Sequence, residues 1–169
     1  MQELDKTRVK LDNPGVWIDF SSSDLSLLRL GIPPIEPERH FTCLARVFGL
    51  LYNLFPTLEF LHIVAYPNWQ EYWWGRVENA QWLKVFRSFF GVKNLHLSKE
   101  ATLRIALALQ ELDGGKATEV FPALQNTSSG GPLPSGPVCD AIMQFATARR
   151  LYGHFIHISV PSSYKTDDG

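Results

Sequence analysis

The sequence has little cysteine and lacks long apolar runs. Only Cys43 and Cys139 occur among 169 residues, too few for a disulfide framework, and such a content is typical of a reducing compartment. No segment approaches the roughly 20 apolar residues that span a bilayer. The polar start, from Met1 to Lys6, has no apolar signal core. We therefore predict no membrane partner and a cytoplasmic or nuclear location.

An excess of charge of one sign is also missing. The formal net charge is -1, and both signs are scattered along the chain. A nucleic-acid partner is therefore not expected, since such proteins carry a clear basic excess. The hydrophobic content of 45% and charged content of 20% are ordinary globular values. We predict one domain over residues 1–161 and a disordered tail over 162–169.

A leucine pattern, Leu-x-x-Leu-x-Leu, recurs along the chain. Copies begin at residues 25, 58, 92, 124 and 153, a period of roughly 30 residues that is typical of solenoid proteins. The fourth copy has Thr127 and Ser129 in place of its second and third apolar residues. We predict that each copy forms a strand and that successive strands pair side by side, so that the repeats fill residues 25–161.

The segments between these strands have helical spacing, and the N-terminus alternates apolar and polar residues over residues 1–20, around Asp12-Asn13-Pro14-Gly15. Ser98 suits an N-cap, and Pro137 suits a first helical position. The predicted fold is α/β, an irregular leucine-rich-repeat-like solenoid with a mainly parallel sheet, helices on one face and an N-terminal β-hairpin. Helices are predicted over His40–Phe55, Val77–Phe90 and Lys99–Leu112, and from Pro137 up to Gly153.

Several segments together carry a family resemblance. They are Leu58–Leu61, Val77–Leu83, Val92–Glu100, Ile105–Leu112, Pro122–Asn126, Pro134–Val138 and Phe145–Arg150. With these segments the chain resembles the C-terminal half of basidiomycete fungal F-box/leucine-rich-repeat-like proteins. The resemblance covers most of the chain and is strongest after Arg76.

The resemblance implies a substrate receptor, in which an F-box docks on a ubiquitin-ligase scaffold and the repeats present a target protein. No F-box segment is visible, because the chain opens on a hairpin. The expected role is therefore that of the target-binding part. The target is unknown, and a missing N-terminal repeat segment is a second expected partner.

The exposed side of the predicted sheet is the candidate binding surface. Side chains alternate across a strand, so the middle residue of each Leu-x-Leu lies opposite the buried leucines. A solvated partner-facing ladder, a proton-sensitive surface and a transition-metal site are three interpretations of this row. The residues of the row, in strand order, are Arg29, His62, His96, Ser128 and His157. The candidate residues that flank this row on the same side of the sheet are Phe60, Asn94 and Phe155.

A second candidate is the aromatic segment from Tyr66 to Trp74. Trp69, Trp73 and Trp74 belong to it. Aromatic clusters are enriched at binding hot spots, but the same residues can instead complete the core.

Catalytic motifs are missing from the sequence. It contains no nucleophile elbow, phosphate loop, dinucleotide fingerprint or zinc-protease motif. We therefore predict a protein-binding module that is not an enzyme and takes no cofactor or metal. The alternatives are a small hydrolase or metal-dependent enzyme that uses the histidine row, and a decayed fragment without a partner.

Overall fold

The computed structural model describes residues 6–12, 15–22, 25–32, 42–43, 45–47, 49–50, 58–65, 79–132 and 135–159. The chain is α/β. Residues 42–43, 45–47 and 49–50 are helical and lie within the first predicted helix. The strands are β1 (Lys6–Asp12), β2 (Gly15–Ser22), β3 (Leu25–Ile32), β4 (Phe60–Ala65), β5 (Asn94–Leu97), β6 (Asn126–Ser129) and β7 (His157–Ser159). The helices are α1 (Asn79–Phe86), α2 (Lys99–Gln110) and α3 (Pro137–Leu151), with a 3-10 helix over Gly114–Thr118.

The seven strands form one sheet in the order β3-β2-β1-β4-β5-β6-β7. Strands β4 to β7 are parallel to their neighbours, and β1 also pairs in parallel with β4. The predicted N-terminal hairpin is confirmed, because β1 and β2 pair antiparallel from Asp12 and Gly15 outward. Strand β3 then continues antiparallel to β2.

The prediction that the first leucine copy lies beside the second is wrong. Strand β3 holds that copy, but β1 is the neighbour of β4. The short connections that follow Asp12 and Ser22 make β1, β2 and β3 consecutive antiparallel neighbours. Strand β3 is therefore an edge strand of the sheet. Its residue Arg29 is separated from β4 by strands β2 and β1.

The last strand is displaced by two residues from the predicted alignment. His157 pairs with Asn126, and Ser159 pairs with Ser128. The backbone N–H of His157 donates to the carbonyl of Gln125 at 2.8 Å, which sets this register. A shift of two residues keeps every side chain on its predicted side of the sheet, so the alternating pattern did not reveal it.

The core lies between the sheet and the helices. The inward positions of β4 and β5 are Leu61, Ile63, Leu95 and Leu97, all at most 3% exposed. Three aromatic side chains pack above them in one cluster, where the ring centroid of Phe121 lies 5.0 Å from that of Phe86 and 6.0 Å from that of Phe89. The other members of the cluster come mainly from the helices and turns, among them Trp82, Val85, Ile105, Leu109, Val120 and Phe145.

The ends of the predicted helices are confirmed in part. Pro137 occupies the first turn of α3, and Gly153 follows that helix with φ +81°, where a residue without a Cβ is favoured. Helix α1 is shorter than predicted, since turns follow it from residue 87. Among the residues that the structure describes, no helix is long and apolar enough to cross a bilayer.

Ser98 joins the end of β4 to the start of α2. Its hydroxyl accepts from the backbone N–H of Ala101, which confirms the predicted N-cap, and also from that of Ala65 at 3.0 Å. The same hydroxyl lies 3.3 Å from the Ala65 carbonyl, to which it donates. One side chain therefore satisfies backbone groups of two elements.

Replacement of Ser98 by alanine is expected to lower the free energy of unfolding by about 2 kcal/mol, because loss of an N-cap and of a strand-end contact add together. Urea unfolding followed by circular dichroism measures this change. The matched control is Ser135→Ala, since Ser135 is exposed and its loss should change the stability by less than about 0.5 kcal/mol. Equal effects of the two substitutions would contradict the assigned role of Ser98.

Strand β6, which holds the fourth leucine copy, has small polar residues where the other copies have aliphatic ones. Ser129 is 9% exposed, and its hydroxyl lies 3.3 Å from that of Thr102 on α2. Thr127 lines a cavity of about 20 Å³ between the sheet, α2 and α3, among apolar side chains that include Leu124 and Phe145. The fourth copy therefore leaves a small cavity in the core, at the place where the other copies have larger aliphatic side chains.

Replacement of Thr127 by valine is expected to raise the free energy of unfolding by roughly 1 kcal/mol, because a methyl group replaces a hydroxyl against apolar neighbours. Urea unfolding measures the gain. Ser129→Ala provides the contrast, since it removes a buried hydrogen bond and should lower the stability. A loss of stability in Thr127→Val would show that the hydroxyl is needed.

Candidate functional site

The side of the sheet opposite the core carries polar residues along adjacent strands. We call this surface the polar face and define it by the alternate positions of β4, β5 and β6. Adjacent strands lie about 4.8 Å apart, so residues in register are side-by-side neighbours. Its residues are Phe60, His62, Asn94, His96, Asn126 and Ser128.

The central row of the polar face joins two imidazoles and a hydroxyl. His62 pairs in register with His96, and their ring centroids lie 4.4 Å apart at an interplanar angle of 84°. The Nδ1 atom of His96 lies 2.7 Å from the hydroxyl of Ser128. Both rings are half-buried, so each presents only part of its surface to a partner.

The neighbouring row joins an aromatic ring and two amides. Phe60 is 45% exposed and pairs with Asn94. The amide nitrogen of Asn126 donates to the amide oxygen of Asn94 at 2.9 Å. His157, at the end of this row, is exposed, and its Nδ1 lies 3.2 Å from the Ser159 hydroxyl.

The register extends the polar face across the N-terminal strands. Arg8 of β1 lies opposite His62, and Asp19 of β2 lies opposite both Arg8 and Arg29. Asp19 is 8% exposed. The central row therefore continues from the histidines through three strand positions with charged residues.

The structure brings together four of the predicted site residues. Phe60, His62, Asn94 and His96 lie on two adjacent strands, as predicted. Phe155 precedes β7 and is 67% exposed, with the guanidinium of Arg150 lying 5.7 Å from its ring centroid. Trp69, Trp73 and Trp74 lie outside the described residues.

Two predicted members of the histidine row are misplaced. The prediction that Arg29 lies beside His62 is wrong, because Arg8 holds that position. His157 pairs with Asn126 and so lies in the row of Phe60 rather than in the histidine row. A two-residue slip and the insertion of β1 account for both errors.

The place of β1 beside β4 could not be predicted from the leucine period. Its sequence alternates Lys6, Arg8 and Lys10 with less polar residues, and the register places these three opposite Phe60, His62 and Val64. The alternation was visible in the sequence. The predicted hairpin gives β1 one neighbour, β2, and the structure adds β4 as the second.

The chemistry of the polar face is that of a hydrogen-bonding surface. Within the described ranges no group of three or more His, Cys, Asp or Glu side chains is placed to hold a metal ion. A contact between an imidazole and a hydroxyl, such as that between His96 and Ser128, occurs in hydrolytic sites. A hydrolytic site also needs a group that orients the imidazole and hydrogen-bond donors for an oxyanion. Cys43 and Cys139 are both free and half-buried.

Comparisons with known proteins give no match. No family model matches the chain, and no curated protein or solved structure is significantly similar to it.

Proposed function

We propose that this chain is a protein–protein interaction module that binds its target through the polar face. The observation that carries this proposal is the combination of exposed Phe60 with paired amide and imidazole side chains on adjacent strands. Mixed aromatic and hydrogen-bonding surfaces are characteristic of protein interfaces. The core side of β4 and β5 is apolar and packs against the helices, so the polar face is the side of these strands that a partner can reach.

The proposal includes a solenoid of leucine-rich-repeat type over the later strands. Backbone hydrogen bonds recur at equivalent places: the carbonyl of Glu59 accepts from Lys93 and Asn94, and that of Lys93 accepts from Gln125 and Asn126, all at 2.9 Å. Repeated contacts between successive units are what stacked repeats make. Strands from such repeats form a continuous surface on which a target can be bound.

The proposal further assigns the chain to the target-binding part of an F-box-like ubiquitin-ligase substrate receptor. This rests on the resemblance of segments such as Val92–Glu100 and Phe145–Arg150 to that family. In such a receptor, the link to the ligase is made by a different segment or chain.

Affinity capture with matched surface variants tests the binding role. The face variant carries Asn94→Arg and Asn126→Arg, which place two bulky cations on the polar face. The control carries Gln110→Arg and Gln144→Arg, which make the same change at exposed positions on α2 and α3. We expect the face variant to lose at least about nine-tenths of the specific bound protein, and the control to retain it.

Both variants must first show thermal unfolding close to that of the unaltered chain. A bound set that is insensitive to the face variant but lost in the control would place the interface on the helices and overturn the proposal. Identical capture by all three proteins would also overturn it, because the polar face would then make no contribution.

A further inference from the structure

We infer that the target bound on the polar face also adds an extended segment, both apolar and acidic, to the outer edge of β7. This inference rests on the proposed function, because it assigns a second contact and a chemistry to the same target. Three observations carry it: the position of β7 at the edge of the sheet, an exposed apolar patch beside its first residues, and the basic groups around that patch.

Strand β7 is the last strand in the order of the sheet, and it pairs with β6 on its inner side. The backbone N–H of His157 donates to the Gln125 carbonyl on that side at 2.8 Å. Because the backbone groups of successive residues alternate between the two edges of a strand, the N–H and carbonyl of Ile158 point to the outer edge. An edge of this kind can pair with an extended segment of another chain.

An exposed apolar patch lies where α3 ends and β7 begins. We call it the β7 patch and define it by Leu151, Tyr152 and Phe155, which are 79%, 55% and 67% exposed. The ring of Tyr152 lies against the 3-10 helix at Gly114 and Gly115. Large apolar side chains that are exposed together mark interaction sites on protein surfaces. The patch therefore offers a partner apolar contacts next to the strand edge.

The exposed charged or titratable groups around the β7 patch are basic. Arg150, His154 and His157 are exposed, and the guanidinium of Arg150 lies 5.7 Å from the ring centroid of Phe155. The sequence has no Asp or Glu over residues 141–166. Arginine stays cationic and an imidazole has an N–H donor in either tautomer, whereas carboxylates only accept. A segment with carboxylates therefore complements these groups better than one with amines.

One acidic residue lies near the patch on its helix side. Asp113 lines, together with Leu151, a groove whose residues come from α2, α3 and the turn after α2. Its carboxylate therefore belongs to the helix layer, and the basic groups remain those nearest to β7. The expected carboxylates of the target lie towards Arg150 and His154.

The β7 patch continues the polar face. The row of Phe60, Asn94 and Asn126 ends at His157 on β7, and Phe155 precedes His157 by two residues. This row crosses three strand spacings, or about 14 Å. A target that lies on the polar face and extends past β6 therefore reaches the sheet edge, where main-chain pairing can add to side-chain contacts.

A second copy of this chain would fit the same edge less well. Two β7 edges paired about a two-fold axis would bring the same patch of each copy together. Arg150 and His154 of one copy would then lie near the same groups of the other, and like charges across an interface are unfavourable. A segment of different chemistry is therefore the expected occupant.

An array of random eight-residue peptides, probed with the purified full chain, tests this inference. We expect the bound peptides to combine Asp or Glu with apolar residues at alternate positions. The best peptide, labelled with fluorescein, is then followed by fluorescence anisotropy. Two versions of it carry N-methyl groups on alternate backbone nitrogens, one version for each phase. The phase that blocks the N–H groups facing β7 should bind at least about tenfold more weakly than the other.

Matched variants of the protein locate the peptide. Arg150→Glu with His154→Glu should weaken binding of the acidic peptide by at least about tenfold, and Phe155→Ala by about tenfold. The control, Lys84→Glu with Lys99→Glu, adds two carboxylates at exposed positions of α1 and α2 and should alter the affinity by less than about twofold. Should the first pair unfold the chain, Arg150→Gln with His154→Gln replaces it, with an expected loss of at least about threefold.

Equal peptide binding by the patch variants and the control would overturn the inference. Loss of binding in Asn94→Arg with Asn126→Arg alone would place the peptide on the polar face, which keeps the proposed function and removes the second contact. Preference for basic or neutral peptides, or for a labelled single-stranded oligonucleotide, would contradict the assigned chemistry.

The remaining outcomes concern the absence of peptide binding. If no peptide binds, the inference fails by itself, because the capture experiment decides the proposed function separately. Sedimentation velocity then shows whether a second copy takes the edge instead, in which case the chain forms a dimer that Phe155→Ala dissociates.

Discussion

Replacement of Arg149 by methionine is expected to lower the free energy of unfolding by about 3 kcal/mol. Arg149 is fully buried, and its Nη1 donates to the carbonyls of Ala117 and Val120 at 2.9 and 3.0 Å. Its Nη2 donates to the Pro122 carbonyl at 3.3 Å, and the guanidinium lies 5.6 Å from the Phe145 ring centroid. Methionine fills the space but leaves three carbonyls without this donor.

Burial lowers the pKa of the Arg149 guanidinium from its usual value, since desolvation disfavours the charged form. Its hydrogen bonds offset this cost, because they satisfy backbone carbonyls of the 3-10 helix and of the turn that follows it. Chemical unfolding of Arg149→Met measures the effect. The control is Arg150→Met on the exposed side of α3, where the loss should stay under about 1 kcal/mol; comparable losses would contradict this role of Arg149.

Replacement of Phe121 by alanine should cost about 3 to 5 kcal/mol. The ring is completely buried and packs between Phe86 and Phe89. Phe121 has φ +48°, a conformation that few residues other than glycine adopt. Alanine keeps the Cβ, so the substitution leaves this backbone strain in place and reports on the lost packing.

Differential scanning calorimetry of Phe121→Ala measures this loss. Phe155→Ala makes the same chemical change at a ring that is 67% exposed, and we expect it to leave the stability within about 1 kcal/mol. A small effect at Phe121 would mean that the three-ring cluster contributes little to the core.

Much of the strand pattern could be predicted from the sequence. The alternation around Asp12-Asn13-Pro14-Gly15 identified the hairpin, and the leucine copies located β3 to β6. The order of strands could not be predicted, because β1 and β3 run in the same direction. Either of them could offer β4 a parallel neighbour, and spacing along the chain does not distinguish the two.

The neighbouring positions of the candidate site could be predicted for strands that follow one another at a constant spacing along the sequence. His62 and His96 are neighbours as expected, since their strands keep the same register. The alignment of His157 failed because a period of two residues is unchanged by a two-residue slip. The role of Arg149 could not be predicted, because it depends on carbonyls about 30 residues away in the sequence.

The placement of His62 beside His96 underlies the polar face and the function proposed for it. Two-dimensional nuclear Overhauser spectroscopy of the histidine rings tests it directly. The structure predicts cross-peaks between the carbon-bound ring protons of His62 and His96. Absence of these cross-peaks in an otherwise well-resolved spectrum would contradict the pairing of β4 with β5, and with it the proposed binding surface.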